Sequence, residues 1–284
     1  MAGAWRRHER RWKDNRYVYA VASRRSRGIS IGINLNPDKG CNFDCLYCQV
    51  NRSAVPEVRK VDLKRLSKEL GLILTAEKDG SLYADDRFQL MTPVERGVRD
   101  IAFSGDGEPT TFPRFDEAVR LAARARREFG LDSARLVLIT NSACLDRPMV
   151  RAALEILDQN NGEIWAKLDA GSEEYFQRVN RPNMSLKKIL DNILDAARTR
   201  PVIIQSLWFR IQGAAPPALE IEAYCDRLNA LISAGGKLKN LQLHTIARDP
   251  ADASASPLSN NELDLIAAAV RSRVPVAVEL FYSA

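Results

Sequence analysis

Three of the chain's five cysteines, Cys41, Cys45 and Cys48, fall within eight residues in the stretch NPDKGCNFDCLYCQV. A structural zinc site takes four Cys or His ligands and closes its tetrahedron, and the local set here stops at three. Completing it would require Cys144 or His244 from far along the chain, since His8 is the only other histidine. A [4Fe-4S] cube also takes soft thiolates. Three thiolates on one short loop bind three irons and leave the fourth open, the same arrangement that makes an open position at zinc catalytic. A third reading is a trio of buried small hydrophobes. The intervening NFD and LY, after PDKG, supply turn residues and no apolar periodicity to support it.

Other residues with chemical potential recur at regular intervals. FSGDGEPT (103–110) sets Gly105 and Gly107 beside Glu108, a small backbone that a ligand can approach with one carboxylate next to it. ITNSA (139–143) holds Asn141 and Ser142, and WAKLDA (165–170) holds Lys167 and Asp169, two apart and so on one face of a strand. QSLWF supplies Gln205 and Trp208, the latter read as packing. LHTIAR supplies His244 and Arg248, with Gln242 and His244 sharing the face opposite Leu241 and Leu243. YFQRVNRPN (175–183) reads as a polar loop whose Arg178, Asn180 and Arg181 suit a phosphate or carboxylate, or stitch the loop to its surroundings.

These positions are spaced by elements that can hold them. Strand-like segments at 29–36, 98–105, 134–140, 162–170, 201–209, 239–247 and 275–282 alternate with amphipathic helical patterns at 61–78, 115–129, 147–159, 185–198, 217–233 and 260–271. Six or seven βα repeats without antiparallel hairpins predict an α/β fold with a mostly parallel sheet and outer helices, either doubly wound or closed into a complete or partial barrel. In either case ligands gather at the carboxyl ends of the strands, where Cys41 to Cys48, Ser104 to Thr110, Asn141 and Ser142, Lys167 and Asp169, Gln205 to Trp208 and His244 to Arg248 fall. The segment 248–260 reads as a Pro/Ala/Ser loop and 79–97 as an excursion over one face.

Composition limits the class. With 284 residues, 45% hydrophobic and 27% charged, the chain reads as an ordinary globular protein. No apolar run suits a membrane span, and the charged N-terminus has no apolar run behind it, so neither membrane association nor a secretory signal is expected. An odd, clustered cysteine set fits a reducing, cytoplasmic setting. The net charge of +6 is uneven: residues 1–30 carry nine Lys/Arg against Glu9 and Asp14, a local +7 that leaves −1 for the rest. Residues 1–28 therefore read as a basic arm able to bind a polyanion such as tRNA. Residues 29–284 read as one domain, with 248–284 a C-terminal helix and strand extension.

C-x3-C-x2-C with the aromatic Tyr47 before the last cysteine resembles the signature of the radical S-adenosylmethionine (radical SAM) superfamily, and the resemblance covers roughly residues 30–250. It implies a partial (β/α)6 barrel with the cluster loop after the first strand. It also implies a [4Fe-4S] cluster on Cys41, Cys45 and Cys48, with SAM chelated to the open iron through its amino and carboxylate groups. An external one-electron reductant of the flavodoxin or ferredoxin type would reduce the cluster. Reductive cleavage of SAM would then give a 5′-deoxyadenosyl radical that abstracts hydrogen from substrate. The family's GGE-like segment, which receives the SAM amino group, corresponds to Gly105, Gly107 and Glu108, with Asp106 displacing the first glycine of the pair. Tyr47, Asn141, Ser142, Lys167, Asp169 and Gln205 are the further cofactor-contact candidates.

CNFDCLYC, SGDGEPT, TNS, KLDAGSEEYFQRVNRP and QSLWF look like the branch containing the wyosine-pathway tRNA enzymes, which condense an N-methylated guanosine with a two-carbon unit from pyruvate. A pyruvate-using enzyme needs a lysine for a Schiff base, for which Lys39 and Lys167 are candidates, with His244 as a further catalytic candidate. This sequence shows no second cysteine set like that branch's, and no room for the flavin-binding domain that some eukaryotic members add. Another tRNA or RNA modification is therefore favoured over wyosine-type synthesis. Radical modification or activation of a peptide or protein and small-metabolite chemistry are the alternatives. An Fe-S electron carrier or a zinc-binding RNA-interaction protein are the non-enzyme readings.

Overall fold

The computed structural model describes residues 12–283. Among these described residues, ten strands and seven α-helices follow in the order β1 (Val18–Ser23), β2 (Gly28–Ile33), α1 (Leu63–Lys78), β3 (Val98–Phe103), α2 (Phe115–Glu128), β4 (Arg135–Thr140), α3 (Pro148–Asp158), β5 (Gly162–Lys167), α4 (Glu173–Asn180), α5 (Leu186–Thr199), β6 (Val202–Leu207), β7 (Phe209–Ile211), α6 (Ala218–Ser233), β8 (Leu238–His244), β9 (Ala255–Pro257), α7 (Asn260–Arg273) and β10 (Val278–Phe281). Eight strands form one sheet in the order β1-β2-β3-β4-β5-β6-β8-β10. From β2 onward the sheet follows chain order, as successive βα crossovers of one hand require. Every strand and helix expected from residue 29 on is present, with ends shifted by a few residues.

Three features depart from the sequence reading. β1 lies inside the stretch read as a basic arm and pairs antiparallel with β2, Val18 opposite Ile33. Residues 1–11, with four of that arm's arginines, lie outside the described residues. The segment 175–183 is not a loop, because α4 occupies most of it. Ser172 caps that helix by accepting the Tyr175 N–H at 3.2 Å, and Glu173 and Glu174 fill the first turn, where acidic groups favour the helix dipole. Within 248–260, β9 pairs antiparallel with β7.

The chain divides into two compact units. The first contains the chain up to Cys41, Val55–Ile139 and Arg147–Glu163. Its strands are largely buried (Ile29, Ile31, Ile33, Ile101, Phe103, Leu136 and Leu138 are all at 0% exposure), as in a parallel sheet covered on both faces. α2 packs against α1 and α3, and Phe115 meets Phe103 edge to face at 5.4 Å. The start of β1 is held by Glu69 of α1, a buried carboxylate that accepts the N–H groups of Arg16 (2.9 Å), Tyr17 (2.8 Å) and Val18 (3.3 Å) and pairs with Arg65 at 2.7 Å.

The second unit contains Asn42–Ala54, Thr140–Asp146 and the chain from Ile164. Its strands have two different faces. Ile204, Leu241 and Leu243 are fully buried on one face, where Ser206 also bonds Tyr224 of α6 at 2.6 Å. Lys167, Gln205, Gln242 and His244 lie on the other. No helix among the described residues is long and apolar enough to cross a membrane.

Candidate active site

In the first unit, the chain leaving β2 runs from Asn34 to Gly40 and ends at half-buried Cys41. Asn34 ties this run to the loop after β3: its Oδ1 accepts the Asp106 N–H at 3.2 Å and its Nδ2 donates to Asp106 at 2.7 Å. The two loops touch so closely that the glycines of GDGE have a packing reason. A Cβ on Gly105 would lie 2.3 Å from Asn34 Oδ1, and one on Gly107 only 1.9 Å from the Gly40 carbonyl oxygen. The glycines thus admit the lead-in to the cysteines, a backbone neighbour that the sequence reading had not assigned to them. Glu108 is 3% exposed and caps the short 3-10 turn after it, one carboxylate oxygen accepting the Thr110 N–H at 3.1 Å and the Thr110 hydroxyl at 2.5 Å. Lys39 sits in the left-handed region, φ 61°, one residue before Gly40.

In the second unit, the segment carrying Cys45 and Cys48 lies on the C-terminus of α4. The Leu46 N–H donates to the Val179 carbonyl at 2.9 Å and the Asp44 N–H to the Asn180 carbonyl at 3.2 Å. Two helix-end carbonyls that would otherwise lack partners therefore fix the cysteine loop. Phe43 bridges to Pro182 in the same way and stacks edge-on against Phe176 at 5.6 Å.

A buried carboxylate organises the next layer. Asp169, two residues past β5, accepts the Leu207 N–H at 2.9 Å through Oδ1, and through Oδ2 the Asn180 Nδ2–H at 2.9 Å and the Tyr47 hydroxyl. Lys167 Nζ lies 3.4 Å from the Tyr47 oxygen and 4.9 Å from its ring centroid. Burial, with Asp169 next in weight, pushes the Tyr47 hydroxyl well above the usual phenol range. Burial likewise raises the Cys45 thiol to about 11, against the opposing charge of Lys167. Binding a metal at Cys45 therefore has to displace a proton.

Cys45 and Cys48 each also have an N–H donor at the sulfur, Asn180 Nδ2 at 3.4 Å from Cys45 Sγ and Arg52 at 3.6 Å from Cys48 Sγ. A cavity of about 670 Å³ opens beside them, lined by Asp44, Arg52, Arg181 and Asp252 among others. Arg181, a candidate for substrate anions, pairs here with Asp252 at 3.2 Å and Asp44 at 3.8 Å. Arg178 is exposed. Sequence reasoning assigned Asn180 to a polar loop and gave it no link to Cys45. Only the helical register of α4, signalled by Ser172 followed by Glu173 and Glu174, brings it there.

The polar face of the sheet carries a row set by strand register. Lys167 is opposite Gln205, Gln205 opposite Gln242, and Gln242 opposite Glu279, and in a parallel sheet such partners share a face. Gln205 is fully buried. Its Nε2 donates to Gln242 Oε1 at 2.7 Å, while its Oε1 has no partner among the described residues. His244 is half-buried, with Nδ1 3.4 Å from the Gln242 carbonyl. Asn141 donates to Asn42 at 2.8 Å. Ser142 is fully buried at φ 67° with its hydroxyl unpartnered among the described residues. Trp208 packs edge-on against Tyr224 at 5.2 Å, the packing role read from the sequence. Arg248 meets the cysteine segment through its carbonyl, 3.5 Å from Gln49 Nε2.

Residues 35–207 match the family described as the Radical SAM superfamily, which is well over half of the chain. The chain belongs to the radical SAM superfamily. It is similar to a UPF0026 protein of Helicobacter pylori, 26% identical over 245 residues covering 86% of this chain and 70% of the relative. Among solved structures it resembles a radical SAM methyltransferase from Sphaerobacter thermophilus, with a TM-score of 0.64 at 14% identity over 93% of this chain and 69% of that one. It also resembles TYW1 with a lysine-pyruvate adduct bound, with a TM-score of 0.53 at 14% identity over 88% and 74%. These likenesses show the radical SAM partial-barrel fold. The protein is a radical SAM enzyme, and the cofactors of its family are a [4Fe-4S] cluster and SAM.

The residues present suit such a cluster. Among the described residues no three His, Cys, Asp or Glu side chains converge as the ligands of a single metal ion would. A cube does not require that convergence, because each thiolate takes its own iron. The donors at Cys45 and Cys48 are the partners a thiolate accepts.

Proposed function

We propose that Cys41, Cys45 and Cys48 hold the cluster, that Glu108 with Gly105 and Gly107 receives the SAM amino group, and that the substrate is a base in tRNA or another RNA. When bound and reduced, the cluster supplies the electron that cleaves SAM and so delivers the 5′-deoxyadenosyl group as a hydrogen-abstracting radical. Around that chemistry the chain binds and orients. Asn141, Ser142 and Asp169 suit the ribose and methionyl groups of SAM, and Tyr47 lines the same end of the fold. Lys167, Gln205 and His244 line the substrate side.

The observation that carries the RNA reading is the row Lys167–Gln205–Gln242, in which half-buried Lys167 lies beside two buried glutamines. An amide pair with one carbonyl oxygen still unpartnered, next to an amine, matches the mixed donor and acceptor edge of a nucleobase. Such a site discriminates strongly, because a ligand lacking the matching group leaves buried polar atoms unpaired. The charge of residues 1–28 supports a polyanionic substrate, as does the wyosine-like sequence pattern. The TYW1 structure has a lysine-pyruvate adduct bound. Of the two candidate lysines here, Lys167 shares the polar row, whereas Lys39 belongs to the lead-in to Cys41, so Lys167 is the amine we assign to substrate chemistry. The thiolates require a reducing compartment, consistent with a cytoplasmic enzyme served by a flavodoxin- or ferredoxin-type reductant.

Two measurements test this reading. Removing residues 1–11 takes away Arg6, Arg7, Arg10 and Arg11 and leaves β1 paired. The truncated protein is expected to bind tRNA more weakly and with a flatter salt dependence, and binding identical to the full chain at every salt concentration would refute the arm's role. Glu108→Gln keeps a carbonyl oxygen to cap Thr110 while removing the charge. SAM affinity is expected to fall roughly tenfold to a hundredfold, the range of a charged hydrogen bond, at unchanged iron content. Equal loss of iron and SAM would mean that the residue acts through its turn.

A further inference from the structure

We infer that Asn180 is a hydrogen-bond donor that sets the electron affinity of the cluster through Cys45, and that Asp169 fixes the direction of that bond. The inference rests on the proposal that the three clustered cysteines hold the cluster.

Asn180 is the last residue of α4 and is 2% exposed. Its Nδ2 lies 3.4 Å from Cys45 Sγ, 2.9 Å from Asp169 Oδ2 and 3.4 Å from the Tyr47 oxygen. A side-chain amide can be turned over, and its neighbours decide which way it faces. Here the choice is forced, because a carboxylate only accepts. With the Tyr47 hydroxyl and the Leu207 N–H already donating to Asp169, turning Asn180 over would press its carbonyl oxygen against Asp169 and aim an acceptor at the sulfur. The NH2 group therefore faces Asp169, and the same group meets Cys45. Asn180 Oδ1 has no partner among the described residues, so the donor end alone anchors the amide.

The sulfur and its donor are also held by backbone. The N–H groups of Asp44 and Leu46, on either side of Cys45, bond the carbonyls of Asn180 and Val179. Loop and helix end thus form one piece, and the contact does not depend on a freely turning side chain at either partner.

The consequence is electrostatic. An N–H on a cluster thiolate is charge-assisted, and it favours the more negative, reduced cluster, so hydrogen bonds to sulfur raise the reduction potential. Arg52 is a longer donor at Cys48, 3.6 Å away and also within 3.9 Å of Asp44, which offsets part of its charge.

The test uses the full chain reconstituted anaerobically with iron and sulfide. Its readouts are iron per chain and the midpoint potential from EPR-monitored reductive titration, neither of which requires turnover. Asn180→Ala is expected to keep the iron content of the parent and to titrate at a lower potential. An unchanged midpoint at full iron content overturns the inference. A second measurement covers a variant that fails to load: parent protein carrying asparagine 15N-labelled only at the side-chain amide, studied by pulsed EPR of the reduced cluster. A 15N coupling through sulfur is expected, and its absence overturns the inference. Parent protein that binds no iron would overturn the cluster assignment itself, and the iron assay separates that failure from the others.

Discussion

Cys45→Ala is expected to abolish iron loading and SAM cleavage together, with 5′-deoxyadenosine below detection. The cubane has only three local thiolates to use, so losing one leaves two irons without a protein ligand. Cys45 is also the thiolate to which Asn180 donates and the centre of the segment tied to α4. The contrast lies with the two cysteines outside the loop. Cys225 is fully buried within α6 and Cys144 is buried after β4; as neither is assigned to the cluster, Cys225→Ala and Cys144→Ala should load iron like the parent chain. Iron content and 5′-deoxyadenosine, measured side by side, check this. Loss of loading in Cys144→Ala would reveal a fourth protein ligand and remove the open position on which SAM docking depends.

The second large effect is on stability. Asp169→Ala removes the common acceptor of Leu207 N–H, Asn180 Nδ2–H and the Tyr47 hydroxyl, at a position 3% exposed. Three donors would be left in a site that excludes water, at about 1–3 kcal/mol each when unsatisfied, less what relaxation recovers. A loss of about 3 kcal/mol or more is expected, equivalent to a fall in Tm of roughly 5–10 °C for a chain of this size. Iron loading should suffer as well, since Tyr47, between Cys45 and Cys48 in the chain, loses the acceptor of its hydroxyl. Thermal unfolding under anaerobic conditions measures the first effect and iron content the second. An unchanged Tm would mean that Asp169 is not the keystone its hydrogen bonds describe.

The alternation of strand and helix from residue 29 onward was legible because each element carries its own period. In β8 the leucines at 241 and 243 against Gln242 and His244 state the two faces outright. The spacing of Cys41, Cys45 and Cys48 pointed to the radical SAM family for the same reason, since all three lie on one short segment. What was illegible depends on distant partners. The lead into β1 is held by Glu69, some fifty residues later, which accepts the N–H groups of Arg16, Tyr17 and Val18, and the basic side chains around it suggested an arm instead. α4 was hidden by its polar exposed face and by Asn180 and Pro182, which resemble a loop until the Ser172 cap is recognised. The pair Gln205 and Gln242 could be assigned to a face from sequence, but their register across β6 and β8 is a property of the sheet.

The central claim is that this radical SAM enzyme uses its three clustered cysteines, and no other side chain, to hold a cluster with one iron open to SAM. Anaerobic reconstitution, iron analysis and EPR of the reduced protein with and without SAM test it most directly. The account predicts about four irons per chain and a reduced spectrum that changes when SAM is added. One tightly bound zinc, or a cluster spectrum indifferent to SAM, would contradict it.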